Sequence, residues 1–230
     1  MERSLDLRQR EGAELIDGVE LPGRGQTGRA PLTLVLFEFK AGLNAYLSNL
    51  GPSAPLKSLE EIIAFNEEHK AVEMPYFGQE LFIQAQEKGP LTDPEYLEAL
   101  ETTLRLSREE GIDKVMDEHD LDALVAPTGG PAWKTDLLNG DPSGGGSSSP
   151  AARAGYPNIT VPAGNVRGLP IGISFFGRAW SESRLLRIAY AFEQSAHARI
   201  VPRFRDSILQ EAPRWWKPRV GGALGLRPGI

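Results

Sequence analysis

An α/β fold, with a mixed β-sheet flanked by helices on both faces, is predicted by three features of this 230-residue chain. Short apolar runs of strand length alternate with longer stretches that are apolar at helical spacing. Glycine (25) and proline (18) are abundant and fall between those stretches, where tight turns need them. The chain also starts in the order helix, glycine, strand, which is how the interior of an α/β domain reads.

The elements follow in order. Met1 to Glu11 reads as a charged amphipathic helix stopped by Gly12, and Ala13–Ile16 as a short strand. Leu32–Leu50 carries a helical stripe of Leu36, Phe39, Leu43 and Leu47. Ser58 with Glu61 forms a capping-box pattern ahead of Ile62, Ile63 and Phe65. Asp93 followed by Pro94 reads as an N-cap with proline at the first helical position. The helix it opens shows Leu97, Leu100, Leu104, Ile112, Val115 and Met116, and is expected to reach His119, weakened at Gly111.

Leu121–Ala126 is a short apolar run closed by Pro127, the pattern of a buried strand opening into a loop over 127–146. Ser149–Ala154 reads as a short helix with Pro150 in its first turn. Ile159–Val161 and Ile171–Phe176 read as strands around a glycine-punctuated turn, Ala163–Pro170, and Ile171, Ile173 and Phe175 share a face. Ser181, with Glu182 in the first turn, opens a last helix whose stripe is Leu185, Ile188, Ala189 and Phe192. From Phe204 to Ile230 no period survives, so 204–230 is expected to be a flexible tail. Its Trp215–Trp216 pair reads as loosely docked aromatics or as a partner anchor.

Composition excludes several classes. Hydrophobic residues make up 40%, far above a disordered chain. The net charge of -6 gives no nucleic-acid surface, and the absence of cysteine excludes disulfides, cysteine zinc sites and thiol nucleophiles. No apolar run approaches the roughly 18 residues of a membrane span, so no membrane partner is expected. Residues 1–20 hold no apolar h-region, so no signal peptide is expected and the cytoplasm is the expected location.

The motifs read as follows. Gly23-Arg24-Gly25-Gln26-Thr27-Gly28 matches the dinucleotide fingerprint G-x-G-x-x-G. Pro22 precedes it, Arg29-Ala30-Pro31 argues against a helix opening at the third glycine, and no acid lies between Lys40 and Glu60. A plain loop is therefore expected. Gly144-Gly145-Gly146-Ser147-Ser148-Ser149 could form an oxyanion site or carry a nucleophile, with Lys134 as base. It reads equally as a cap, with Ser149-Pro150 as N-cap and N1, or as a pocket lining. His69, His119 and His197 share no metal-ligand spacing, and the acidic residues spread over solvated helix faces.

Several stretches resemble the C-terminal part of the amidase signature family. Leu121–Thr128 (LDALVAPT) looks like its late core strand. Ala154–Gly164 (AGYPNITVPAG), Gly168–Gly172 (GLPIG) and Ile173–Arg178 look like its C-terminal sheet segment, and Ser181–Glu193 its closing helix. Weaker matches at Glu14–Pro22 and Phe37–Tyr46 extend the likeness over residues 1–203, the expected incomplete amidase domain.

The resemblance implies the C-terminal part of the amidase-signature fold, hydrolysis of carboxamides through a Ser–Ser–Lys triad, and no metal or cofactor. It places that triad upstream of Met1, and no residue here matches any of the three, so no catalytic residue is assigned. This part would supply sheet closure and one wall of the substrate pocket. The candidates for the wall are Thr128 and Trp133, which follow the C-terminal end of a strand, and Ser148. The implied partners are a small-molecule amide and either the missing N-terminal half or a second copy. Two other readings stay open: a non-catalytic amidase-like binding module, and a small hydrolase using Ser147–Ser149 with Lys134.

Overall fold

The computed structural model of the chain describes Ser4, Gln9 and residues 12–22, 25–142 and 145–201. The expected helix Met1 to Glu11 and the tail from Phe204, with Trp215–Trp216, lie outside the described residues but for Ser4 and Gln9. The chain divides into a compact unit, Met1–Arg199, and a second, Ile200–Ile230. Only Ile200 and Val201 of the second are described.

Helix α1 spans Ala30–Asn49, with Pro31 in its first turn. The prolyl ring fixes a helical φ where the N–H has no intrahelical partner. A helix therefore does open just after Gly28, contrary to the expectation from Arg29-Ala30-Pro31. No strand precedes it among the described residues, and Ala13–Ile16 is irregular rather than a strand. The dinucleotide motif thus lacks the strand that would aim it.

Helix α1 is buried on two sides. Leu36 packs with Leu59 and Ala85, joined by Phe39 and Leu43. Leu34 and Phe37 pack with Tyr96 and Ala99. Those partners lie on α2 (Leu59–Glu68), α4 (Glu80–Gln86) and α5 (Pro94–Ser107), with α3 (Lys70–Glu73) between α2 and α4. The Ser58 side chain caps α2 by accepting from Glu61 N at 3.2 Å. Glu61 turns back to accept from Lys57 N rather than from the cap residue itself. Asp93 Oδ1 caps α5 by accepting from Glu95 N at 2.9 Å.

The helix begun at Asp93 does not run unbroken to His119. After α5 the backbone breaks in a kinked turn, Arg108–Ile112, before α6 (Asp113–Glu118). Gly111 has φ -116 and ψ -106 within that turn, and a Cβ there would meet Leu106 O at 2.7 Å. The turn throws Ile112, Val115 and Met116 into the core, with Ala151, Ala154 and Phe176. Gly111→Ala must move that carbonyl, a backbone shift expected to cost about 1–3 kcal/mol of stability. Urea denaturation checks it, and an unchanged midpoint would mean the turn relaxes freely.

The sheet is smaller than expected and differently built. Strands β1 (Leu124–Pro127), β2 (Asn158–Val166) and β3 (Leu169–Phe176) lie in the order β1-β3-β2, and both pairings are antiparallel. Among the described residues the mixed sheet is therefore replaced by an antiparallel one. The expected turn Ala163–Pro170 is mostly strand. Its reversal narrows to Arg167 and Gly168, both at positive φ (52 and 84), the geometry of a two-residue hairpin turn. Asn165 Oδ1 accepts from Gly168 N and holds it.

Helices do cover both faces. Val161, Ile173 and Phe175 pack with Leu185, Ala189 and Phe192 of α8 (Glu182–Ala196). Leu124 and Phe176 face the other way, toward α6 and α7 (Ser148–Ala154). The period-2 alternation makes adjacent Phe175 and Phe176 serve opposite cores.

Candidate functional site

The face of the sheet that carries Leu124 and Phe176 changes character along its length. At one end those two side chains are buried beside α6 and α7. Toward the other end stand three hydroxyls, from Thr128 just past β1, Thr160 of β2 and Ser174 of β3. Thr128 Oγ1 lies 2.8 Å from Ser174 Oγ, Thr160 Oγ1 lies 2.8 Å from Ser174 Oγ, and Thr128 Oγ1 and Thr160 Oγ1 bond directly. Ser174 is 2% exposed while Thr160 reaches solvent, so the triangle is rooted in the core and open at its rim.

Three hydroxyls supply three protons, and the triangle has three edges. When each proton lies along an edge, every oxygen keeps one lone pair, and the rim presents acceptors. Gly172 makes the arrangement possible. A Cβ at that position would sit 2.8 Å from Thr128 Oγ1.

The loop after β1 returns beside Thr128. Thr128 N donates to Gly172 O at 3.0 Å, and Ser147 N donates to Thr128 O at 3.2 Å. Gly129 and Gly146 form a bridge. The structure therefore joins the serine run to Thr128 through Ser147. Ser147, not Ser149, takes the N-cap position of α7, with Pro150 inside the helix. Ser147 Oγ is buried without a hydrogen-bond partner. Ser148 and Ser149 are exposed, as is Lys134. Among the described residues no hydrogen bond joins Ser147, Ser148 or Ser149 to Lys134 or another base, and the Ser–Lys nucleophile arrangement requires one. Trp133 is 48% exposed on the same loop. Thr160 and Ser174 carry no role in the sequence motifs, whereas Ser147 belongs to the Gly144–Ser149 run. Both are signalled by a polar residue at alternate positions inside apolar strands, Ile159-Thr160-Val161 and Ile173-Ser174-Phe175.

A second polar knot stabilises the helix leading into β2. Gly155, at φ 67, ends α7 in the left-handed conformation. Arg108 Nε donates to Ala154 O at 2.6 Å, and its guanidinium lies over the Tyr156 ring at 5.5 Å. Tyr156 Oη donates to Asp113 Oδ2 at 2.6 Å. Burial, then the hydrogen bond to Asp113 and its negative charge, push the Tyr156 phenol up to about 12. The folded protein thus holds that proton more tightly than the unfolded chain. The stabilisation is complete below pH ~10, the free phenol value. It is lost as pH rises through about 12. Tyr156→Phe is expected to flatten this part of the stability profile, measured by urea unfolding from pH 9 upward. An unaltered alkaline slope would place its cause elsewhere.

Two shallow clefts of about 290 and 280 Å³ adjoin the exposed Trp180, and neither is lined by Thr128, Trp133 or Ser148. Among the described residues no group of three or more histidine, aspartate or glutamate side chains could hold a metal ion. No described helix is long and apolar enough to cross a membrane.

A family model described as Amidase matches residues 10–186. The chain belongs to the amidase signature family. A protein named "Probable amidase" from Arabidopsis thaliana is 37% identical over 210 residues, which are 89% of this chain and 37% of that protein. The structure of native peptide amidase from Stenotrophomonas maltophilia is 46% identical with a TM-score of 0.80, covering 90% of this chain and 41% of that one. An amidase family protein from Bacillus anthracis is 31% identical with a TM-score of 0.70, covering 88% and 36%. The chain thus has the architecture of part of the amidase fold and spans about two-fifths or less of the length of these relatives.

Proposed function

We propose that the chain supplies one wall of an amidase substrate pocket and closes the sheet beneath it, while the hydrolytic triad is carried by the part of the family's sequence that has no match here. One observation carries this reading: the triangle of Thr128, Thr160 and Ser174 stands at the C-terminal end of β1, rooted in the core and open at its rim. Loops past strand ends are where α/β proteins bind ligands. An acceptor rim suits the N–H groups of a carboxamide, and Trp133 offers a rigid apolar surface on the loop that follows. Ser148, at the start of α7, adds a hydroxyl on the same connection.

The chemistry follows the family. A serine activated through a second serine and a neutral lysine attacks the amide carbon, the amine leaves, and water releases the acid from the acyl-enzyme. The residues of this chain bind and orient the amide during those steps and move no proton of their own. The likeness to peptide amidase makes a peptidyl carboxamide the first substrate to test.

The test is complementation. This chain is mixed with the portion of the Stenotrophomonas maltophilia peptide amidase outside the matched 41%, and ammonia release from a peptidyl amide is followed. Turnover is expected from the mixture only. Association without turnover would favour the second reading, a non-catalytic binding module. That reading draws support from four buried clusters that close within the described residues.

A further inference from the structure

The loop that leaves β1 and returns at Ser147 is closed at its base by the Gly129–Gly146 bridge and by the bond from Ser147 N to Thr128 O. Between those ends it carries a reactive pair. Of the asparagines in the sequence, only Asn139 is followed by glycine. The others precede Ala45, Leu50, Glu67, Ile159 and Val166, whose side chains crowd the following backbone nitrogen. Asn139 and Gly140 are both exposed, and the space where a Cβ of residue 140 would stand is empty. Gly140 N therefore has a free approach to the Asn139 side chain, and water reaches both. Attack within one chain is fast wherever the reacting atoms can meet in line.

Asp136 opposes that meeting. Its Oδ1 accepts from Leu138 N at 2.9 Å and from Asn139 N at 3.0 Å, and its Oδ2 accepts from Asn139 Nδ2 at 3.0 Å. Its carbonyl accepts from Gly140 N at 3.0 Å. The bonds from the Asn139 amide, then from the N–H groups of Asn139 and Leu138, hold the Asp136 carboxyl below its usual range. At neutral pH it therefore stays ionised and accepts only. The electrophile is the Asn139 amide and the nucleophile is the Gly140 nitrogen. Both are tied to one residue, and both must let go before they can meet.

We propose that Asn139–Gly140 is a site of spontaneous covalent modification and that Asp136 is the clasp that sets its rate. Gly140 N loses its proton and bonds to Asn139 Cγ. The Cγ–Nδ2 bond breaks, and Nδ2 leaves as ammonia with that proton. The resulting succinimide takes up a water. Opening at one carbonyl gives aspartate, and opening at the other gives isoaspartate, with the main chain rerouted through the former side chain. Only this chain and water take part. Either product carries a carboxylate beside Asp136 in place of the Asn139 donor, and two carboxylates so placed repel. The clasp does not reform, so the loop that holds Trp133 loses its turn at Asp136 for good.

The test uses the whole chain, incubated at neutral pH and digested. Mass spectrometry follows the peptide that holds Asn139, and enzymatic methylation counts its isoaspartate after separation from the Asp17–Gly18 peptide. Asn139 is expected to convert before any other asparagine, and more slowly in the folded chain than in guanidinium chloride. Asp136→Ala frees both groups and is expected to convert about tenfold faster than the unaltered chain, the scale of a hydrogen bond to a charged group. Asp136→Asn keeps an acceptor oxygen and is expected to fall between. Circular dichroism checks that each variant is folded, and Asp136→Asn carries the comparison where Asp136→Ala is not. Asn139→Gln, whose cyclisation needs a larger ring, is expected to stay unmodified. An Asn139 that keeps its amide while Asn158 or Asn165 converts overturns the site. A folded Asp136 variant that converts no faster than the unaltered chain overturns the clasp.

Discussion

Incubated alone with simple aliphatic or aryl amides, the chain is expected to release no product above the uncatalysed rate. The family's chemistry needs a serine nucleophile in contact with its activating groups. Here the only buried member of the serine run, Ser147, has no hydrogen-bond partner, and Ser148 and Ser149 face solvent. Uncatalysed amide hydrolysis is so slow that even feeble catalysis stands clear of it, since each 1.36 kcal/mol off the barrier is tenfold in rate. In the complemented mixture Ser148→Ala is expected to keep most of kcat, because its exposed hydroxyl makes no hydrogen bond to another described residue. Turnover by the chain alone that Ser148→Ala abolishes would overturn the assignment and make the serine run the nucleophile. Single-turnover assays with a chromogenic aryl amide give the answer with little protein.

Trp133→Ala is expected to change substrate preference in the complemented enzyme more than it changes folding. The indole is half-exposed and belongs to none of the four buried clusters. Its removal from an exposed site is expected to shift stability by no more than ~0.5 kcal/mol. As a pocket wall it would contribute about 1–3 kcal/mol of discrimination between amides, or ~10–200-fold in the ratio of kcat/KM. The check is kcat/KM across peptidyl, aryl and short aliphatic amides, with thermal melts of the variant alongside. An unchanged specificity profile would make the loop a surface connection and leave Thr128 without its neighbour.

The sequence by itself determined several local elements and the family. Asp93-Pro94 and Ser58 carry their capping chemistry in the side chains, and the structure places both caps where that chemistry requires, while Glu61 accepts from Lys57 N instead of closing the box on Ser58. The stripe Leu185, Ile188, Ala189 and Phe192 follows from helical spacing alone, and it meets the sheet. The stretches AGYPNITVPAG and GLPIG pointed to the amidase signature family without any coordinate.

Tertiary structure decided what depends on partners far apart in sequence. The kink at Gly111 answers to Leu106 O and to the core behind Ile112, so a local propensity could mark the weak point and not its geometry. Strand direction depends on which strands meet, and β1 meets β3 across about fifty residues, so a pattern read along the chain left the sheet mixed where it is antiparallel. Ser147 and Ser149 are chemically identical neighbours; only the turn bonded to Thr128 O buries one and exposes the other. The hydroxyl triangle likewise exists because Gly172 leaves room for Thr128 beside Ser174, a coincidence of three strands that no single segment encodes.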